Sequence, residues 1–354
     1  MEVFRNTYNR IYPLVTTDIG IDLGTANTLV YIRGKGIVLN EPSVVAINRK
    51  TNQVVAVGAD AKKMLGRTPK HIDAIRPLVE GVISDFDIAQ EMMAYLVSKS
   101  REMVSGKLIA PRIVIGVPSG ITNVERRAVH DAAKAAGARS VYLVEEPVAA
   151  AVGIQLPIHD PVGNMIIDIG GGTTDIAILS LGGVVTSRNV RIGGDHFDAA
   201  ISAYVRSEFR VLIGEKTAEH LKITAGRVIE GEEAIEVKIK GRDVVTGLPR
   251  EVEVTDSDVR EAIIPALESL VSATRSVLEE TPPEIVSDIL EHGIFLVGGG
   301  AQMIALDEYL EEKLGIPVFL PSEPMTAVAR GAGTILEQHD RYSSLLLRGS
   351  EVVV

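Results

Sequence analysis

Residues 164–175 read Asn-Met-Ile-Ile-Asp-Ile-Gly-Gly-Gly-Thr-Thr-Asp, and the reading of the chain starts there. Met165, Ile166, Ile167 and Ile169 form a short apolar run that suits a buried strand. Asp168 stands near its end, and Gly170, Gly171 and Gly172 follow. Lacking Cβ atoms, these glycines can take positive φ and let a ligand approach the backbone. Successive N–H groups in such a turn make a concavity for an anion. Thr173 and Thr174 add hydroxyls, while Asp168 and Asp175 bracket the loop with negative charge. A nest beside carboxylates suits a phosphate that arrives with a divalent cation, because the cation lets both signs share one pocket. The plain alternative is a tight turn whose glycines serve geometry alone.

A second copy raises the stretch above a turn. Residues 19–28, Ile-Gly-Ile-Asp-Leu-Gly-Thr-Ala-Asn-Thr, have the same grammar: apolar residues, Asp22, a turn at Gly24, then Thr25, Ala26, Asn27 and Thr28. Two such loops predict two halves of one architecture facing one ligand, since folds of this kind place the site at the junction of their halves. The length of 354 residues suits two to three domains. With 36 basic and 47 acidic residues the net charge is −11, which argues against a nucleic-acid surface. The absence of cysteine excludes a disulfide framework and thiolate metal sites. No apolar run is long enough for a membrane-spanning helix. Residues 1–16 lack the continuous apolar core of a secretory signal. No Gly-x-x-x-x-Gly-Lys-Ser/Thr sequence occurs, so this is not a P-loop protein.

Strand and helix patterns alternate along the rest of the chain, which predicts α/β layers. On a helix, Phe4, Tyr8, Ile11 and Tyr12 would share one face, as in a short helix lying on a membrane surface; a strap packed on the domain is the alternative. Residues 43–84 carry their own turns and read as an insertion between core elements. Leu108 and Ile109 are an apolar pair between Lys107 and Arg112. Thr122 with Glu125 is a capping box, and Gly137 suits the residue after a helix end. Glu145-Glu146-Pro147 follows a strand directly. Asp195 either reaches a ribose or cation, or caps its helix. Glu219 and Lys222 read as an i,i+3 surface pair. Residues 232–254 alternate and predict hairpins within a second insertion. Apolar residues recur at helical spacing from Val259 to Leu278, with Pro265 predicting a kink or two helices. Gly298-Gly299-Gly300-Ala301-Gln302-Met303 follows a strand and is expected to open a helix.

Residues 22–28, 145–147, 168–175 and 296–300 together resemble the signatures of the actin/chaperone/sugar-kinase ATPase superfamily. Within it, residues 20–29, 34–47 and 192–197 resemble the MreB family of bacterial actin homologues, over nearly the whole chain. The resemblance implies an α/β, actin-like fold: two lobes of ribonuclease-H-like core subdomains, each with a smaller inserted subdomain. It divides the chain into a first core at 1–42, 85–150 and 326–354 with an insert at 43–84. The second core is at 151–190 and 256–325, with an insert at 191–255. It implies ATP with Mg²⁺. Thr25, Ala26 and Asn27 would lie by the phosphates, and Gly170, Gly171, Gly172 and Thr173 would form the second phosphate loop. Glu219, His220, Leu221 and Lys222 would flank the adenosine, and Gly298, Gly299, Gly300 and Ala301 would sit by base and ribose. Asp22 and Asp168 would hold the cation through water. Glu146 would orient the attacking water with help from Thr173. The family often carries Glu where this chain has Asp175.

Functionally, the resemblance implies a filament that assembles on the inner face of the cell membrane and organises cell shape and wall elongation, with slow ATP turnover regulating assembly. Its partners would be further copies of itself, the membrane through Phe4, Tyr8 and Ile11 or through Leu108 and Ile109, and the wall-elongation machinery. A soluble small-molecule kinase of the same superfamily is the alternative; it needs a substrate base that the sequence does not offer. A chaperone of the DnaK type would need a β-rich peptide-binding domain beyond the core.

Overall fold

The computed structural model describes residues 16–104 and 109–347. They fall into two compact units, Met1–His159 with Thr326–Val354, and Asp160–Met325. The expectations placed on Phe4, Tyr8, Ile11, Tyr12 and Leu108 lie outside the described residues.

The first unit is built on a five-stranded sheet. Its order is Ser140–Glu145, Arg112–Val117, Ile19–Leu23, Asn27–Ile32 and Gly36–Pro42. The first three strands run parallel and the last two continue as an antiparallel meander. The parallel strands read as continuous apolar runs because helices cover both of their faces. Ile19, Ile21, Ile113, Ile115 and Leu143 are fully buried. Met92 and Leu96 of the Phe86–Glu102 helix and Val129 of the Asn123–Ala135 helix complete that core. A smaller sheet of Val45–Asn48, Gln53–Val57 and Ile72–Ile75 carries the Ala59–Met64 helix.

Thr122 caps the Asn123–Ala135 helix as expected. Its hydroxyl accepts from the Glu125 N–H at 3.3 Å, and Glu125 accepts from the Thr122 N–H at 2.9 Å. Thr122→Ala should therefore lower stability by about 1 kcal/mol. The check is a denaturation midpoint that falls while the slope stays unchanged.

The second unit repeats the scheme. Its five-stranded sheet runs Gly183–Val190, Thr174–Ser180, Asn164–Ile169, Ile294–Val297 and Val318–Phe319, again a meander leading into parallel strands. A smaller antiparallel sheet joins Val211–Leu212, Glu236–Asp243 and Pro249–Thr255. In each large sheet the aspartate is the next-to-last residue of the central strand: Asp22 in Ile19–Leu23 and Asp168 in Asn164–Ile169.

Two local expectations differ from the structure. Asp256–Glu279 is one continuous helix with Pro265 inside it. Proline removes one helical hydrogen bond. Ile263, Ala266, Leu267 and Leu270 bury a single stripe on both sides of it, and that packing outweighs the local cost. Gly298 to Met303 does not open a helix directly. Residues Gly300–Gln302 make one 3₁₀ turn, and the next helix, Leu306–Leu314, starts from Ala305 in the left-handed region.

Candidate functional site

In the first unit the parallel strands end together, so their C-terminal loops share one edge. Asp22 lies in register with Gly116, which in turn pairs with Val144, one residue before Glu145. Glu145 precedes the Glu146–Gly153 helix and Glu146 is its first residue. The Glu146 side chain crosses Gly116: a Cβ added there would lie 3.3 Å from Glu146 Cγ and 2.7 Å from Val328 Cγ1. Gly116 thus makes room for the carboxylate next to the strand that carries Asp22. Burial pushes the Asp22 carboxyl up to about 7. Burial also raises Glu145, while Arg126 and the Gly120 N–H pull it down.

The loop after Asp22 is held from outside. The Ser43 hydroxyl donates to the Gly24 carbonyl at 2.6 Å, and its N–H donates to the Ala26 carbonyl at 3.0 Å. Thr28 Oγ1 lies 2.9 Å from Ser43 Oγ, and the Gly81 N–H donates to Thr25 Oγ1 at 2.9 Å. Ser43 is fully buried and Thr25 nearly so. Thr25, Ala26, Asn27, Asp22 and Glu146 are therefore brought to one sheet end. Ser43, Gly81 and Gly116 were not among the residues the sequence singled out. Only the isolated glycines hinted at two of them.

In the second unit Asp168 pairs with Val297, so the loops beginning at Gly170 and Gly298 leave the sheet at the same end. The Gly170 N–H donates to the Thr173 carbonyl at 2.9 Å, closing the turn. Gly298 takes φ 86°, and a Cβ there would overlap Asp168 Oδ1. Gly170, Gly171 and Gly172 do not use the left-handed φ that is open to them. Their turn is shaped by hydrogen bonding to the Gly194–Glu208 helix: the Gly194 and Asp195 N–H groups donate to the Gly170 and Gly171 carbonyls at 3.0 and 2.7 Å. Asp195 does not cap its helix; Gly193 occupies the cap position without a side-chain bond. Asp175 is buried and accepts from Asn189 Nδ2 at 2.8 Å, which gives the shorter acid a partner at the loop exit.

The remaining residues sort by side-chain direction. Leu221 is fully buried and Ala301 is 1% exposed, both within the hydrophobic core, so only their backbones are open to a ligand role. His220 is exposed, with Nδ1 3.4 Å from Thr224 Oγ1. The local Glu219–Lys222 pair does not form. Lys222 Nζ donates to the Gly194 carbonyl at 3.0 Å and pairs with Asp198 Oδ1 at 2.9 Å. Burial raises Asp198, and Lys222 holds it back.

Ile109 is 37% exposed and its backbone bridges to Thr16 in parallel. Among the described residues no helix is long and apolar enough to cross a membrane. Nor do three or more His, Asp or Glu side chains converge there as a dedicated metal site.

Two repeated sheets, each ending in an aspartate and a glycine loop, define an actin-like fold. Solved structures match it. MreB5 of Spiroplasma citri bound to ADP superposes with a TM-score of 0.87 at 38% identity, covering 93% of this chain and 98% of that one. The double helical filament of MamK matches with a TM-score of 0.77 at 23% identity, a likeness of fold alone. The family described as MreB/Mbl protein matches residues 16–344, and the chain belongs to that family. The cell shape-determining protein Mbl of Bacillus cereus is 49% identical over 331 residues, 94% of this chain and 99% of its own. The cell shape-determining protein MreB of Escherichia coli is 49% identical over 333 residues, 93% and 96% respectively.

Proposed function

We propose that this chain is an ATP-binding, filament-forming cell-shape protein whose assembly is gated by nucleotide and which works at the inner face of the cell membrane. The observation that carries the reading is the duplicated strand-aspartate-loop arrangement in a chain of the MreB/Mbl family. The small-molecule kinase alternative gains no support from the relatives.

The residues fit the groups assigned to them. The turn at residues 170–173 leaves its glycines half-buried rather than covered, and the Gly298 position is shaped against Asp168 so tightly that a side chain would not fit. Thr25, Ala26 and Asn27 and the turn from Gly170 to Thr173 would bind phosphates. Glu219 to Leu221 and Gly298 to Ala301 would line the nucleoside, while the Lys222 ammonium is turned onto the Gly194 carbonyl and Asp198. Burial lifts the Asp22 carboxyl, and a divalent cation beside it would favour its ionised form. Asp22 and Asp168 are hard oxygen donors, and the resemblance assigns them to a hydrated Mg²⁺, an ion that keeps several waters and takes one or two carboxylates. Bound there, Mg²⁺ would neutralise charge on the phosphates. Glu146 would orient the attacking water and accept its proton, and the resemblance adds the Thr173 hydroxyl as a helper. The subdomain division given by the family resemblance, with inserts at 43–84 and 191–255, is part of this proposal.

The Asp22 shift gives a pH dependence. Its carboxyl is raised from 3.8 to about 7, so the folded protein holds that proton more tightly than the unfolded chain. The stabilisation this lends is complete below about pH 4 and is lost as pH rises to about 7. Above that, the ionised carboxylate becomes available to Mg²⁺. The thermal stabilisation by Mg²⁺ with ATP should thus be clearly larger at about pH 8 than at about pH 6. Asp22→Asn should abolish most of that difference, and a difference unchanged in Asp22→Asn would remove Asp22 from cation binding.

Sedimentation tests the assembly. With ATP the protein should pellet, and with lipid vesicles it should co-sediment through Phe4, Tyr8 and Ile11 or through Leu108 and Ile109. Deleting residues 1–12 together with Leu108→Ser and Ile109→Ser should abolish the vesicle pellet. Undiminished co-sedimentation would place the anchor elsewhere, and a monomer under every condition would defeat the filament reading.

A further inference from the structure

Lys222 is assigned above to the nucleoside, yet its ammonium is spent inside the protein. It sits near the end of the Glu215–Ala225 helix and reaches the start of the Gly194–Glu208 helix. There it donates to the Gly194 carbonyl at 3.0 Å and pairs with Asp198 at 2.9 Å, with the two side chains only 14% and 16% exposed. The Gly194 carbonyl belongs to the same peptide unit as the Asp195 N–H. That N–H donates to the Gly171 carbonyl at 2.7 Å. The Gly171 carbonyl in turn shares its peptide unit with the Gly172 N–H, in the middle of the glycine turn.

A cation on a carbonyl polarises its peptide and strengthens the N–H at the other end, and chains of such bonds reinforce one another in a low dielectric. Hydrogen bonds to charged groups are also the strong ones. The path from Lys222 therefore runs through two peptide units to the Gly172 N–H. A parallel bond, Gly194 N–H to the Gly170 carbonyl at 3.0 Å, leads to the Gly171 N–H. The Thr174 hydroxyl ties the preceding Ile192 carbonyl at 2.7 Å, so the turn and the helix start are fastened on both sides.

We propose that Lys222 is a positioning residue for the glycine turn, delivering positive charge to the Gly172 N–H group through the Gly194–Asp195 peptide rather than by touching the ligand. Asp198 keeps the ammonium on the Gly194 carbonyl. The inference deepens the proposed nucleotide site and rests on the turn being a phosphate loop. It also gives the inserted segment a direct mechanical line to that loop, because Lys222 lies in the 191–255 stretch.

The test uses magnesium pyrophosphate, which has no nucleoside, alongside adenosine, which has no phosphate. In the full-length chain, Lys222→Met should weaken pyrophosphate binding by about tenfold or more and leave adenosine binding within about twofold. Lys222→Arg, which keeps charge and donor, should stay near the unaltered protein. Lys222→Gln, which keeps a donor without charge, should fall between. Without any ligand, amide exchange at Gly194 and Asp195, whose N–H groups bond the turn, should quicken by about tenfold in Lys222→Met. Loss of adenosine binding with unchanged pyrophosphate binding, or unchanged exchange at those amides, would overturn the proposal. Failure of the unaltered chain to bind either pyrophosphate or ATP would defeat the phosphate-loop reading instead, while the ligand-free exchange would still decide whether Lys222 holds the turn.

Discussion

Glu146→Ala is expected to slow phosphate release by about 100-fold to 1,000-fold while ATP still binds. The side chain starts a helix at the C-terminal edge of three parallel strands and crosses Gly116, the register partner of Asp22. Nothing in that position suits it to grip a nucleoside, so its loss should fall on turnover rather than on affinity. Phosphoryl transfer needs positioning and charge neutralisation more than covalent help, which is why one misplaced carboxylate weighs so heavily. Gly116→Ala gives an independent check. The added Cβ would press on Glu146 and Val328, so the variant should mimic the Glu146 loss in part. A Glu146→Ala protein that releases phosphate at the normal rate would take Glu146 out of the role. A protein that no longer binds ATP would make Glu146 a binding residue.

The second large effect is structural. The helices Glu146–Gly153 and Ala327–Glu337 pack backbone on backbone. A Cβ on Gly331 would overlap the Ala149 carbonyl, and one on Gly153 would overlap the Ala327 carbonyl. Arg330 Nη2 adds a bond to the Gly153 carbonyl at 2.6 Å. Gly331→Val should therefore destabilise the first unit by about 3 kcal/mol or more, since overpacking against main chain cannot be relieved by a rotamer change. Denaturant titration would show it as a lowered midpoint, with soluble yield falling as well. An unchanged midpoint would mean that the two helices are not in close contact. Because the first of these helices begins at Glu146, a partly folded Gly331→Val protein should also lose phosphate release.

The large features of this architecture are legible in the sequence because they follow from local chemistry. An apolar run, an aspartate and glycines mark both central strands, and Thr122 with Glu125 marks a helix start from four residues. Such signals depend on neighbours only a few positions away. What escaped depends on residues distant in the chain. Ser43 stabilises the loop at Gly24 from nineteen positions on. Gly116 matters because the Val328 and Glu146 side chains, both from helices distant in the chain, lie against it. Lys222 looks like the partner of Glu219 by spacing, yet it reaches Gly194, twenty-eight positions away, where burial makes a charge-assisted bond worth more than an exposed pair. The glycine turn does not use the left-handed φ open to it, and the neighbouring helix start shapes it through two backbone bonds. Pro265 was expected to kink a helix or divide it in two, and tertiary packing keeps it one helix. Leu221 and Ala301 sit in a ligand-binding stretch by resemblance, and their side chains nevertheless serve the core.

Electron cryo-microscopy of the full chain with ATP, Mg²⁺ and lipid vesicles tests the central claim most directly. Filaments should form on the vesicle surface, with nucleotide density against Thr25, Ala26 and Asn27 and against the turn from Gly170 to Thr173. Dispersed monomers, or nucleotide bound away from those two loops, would contradict it.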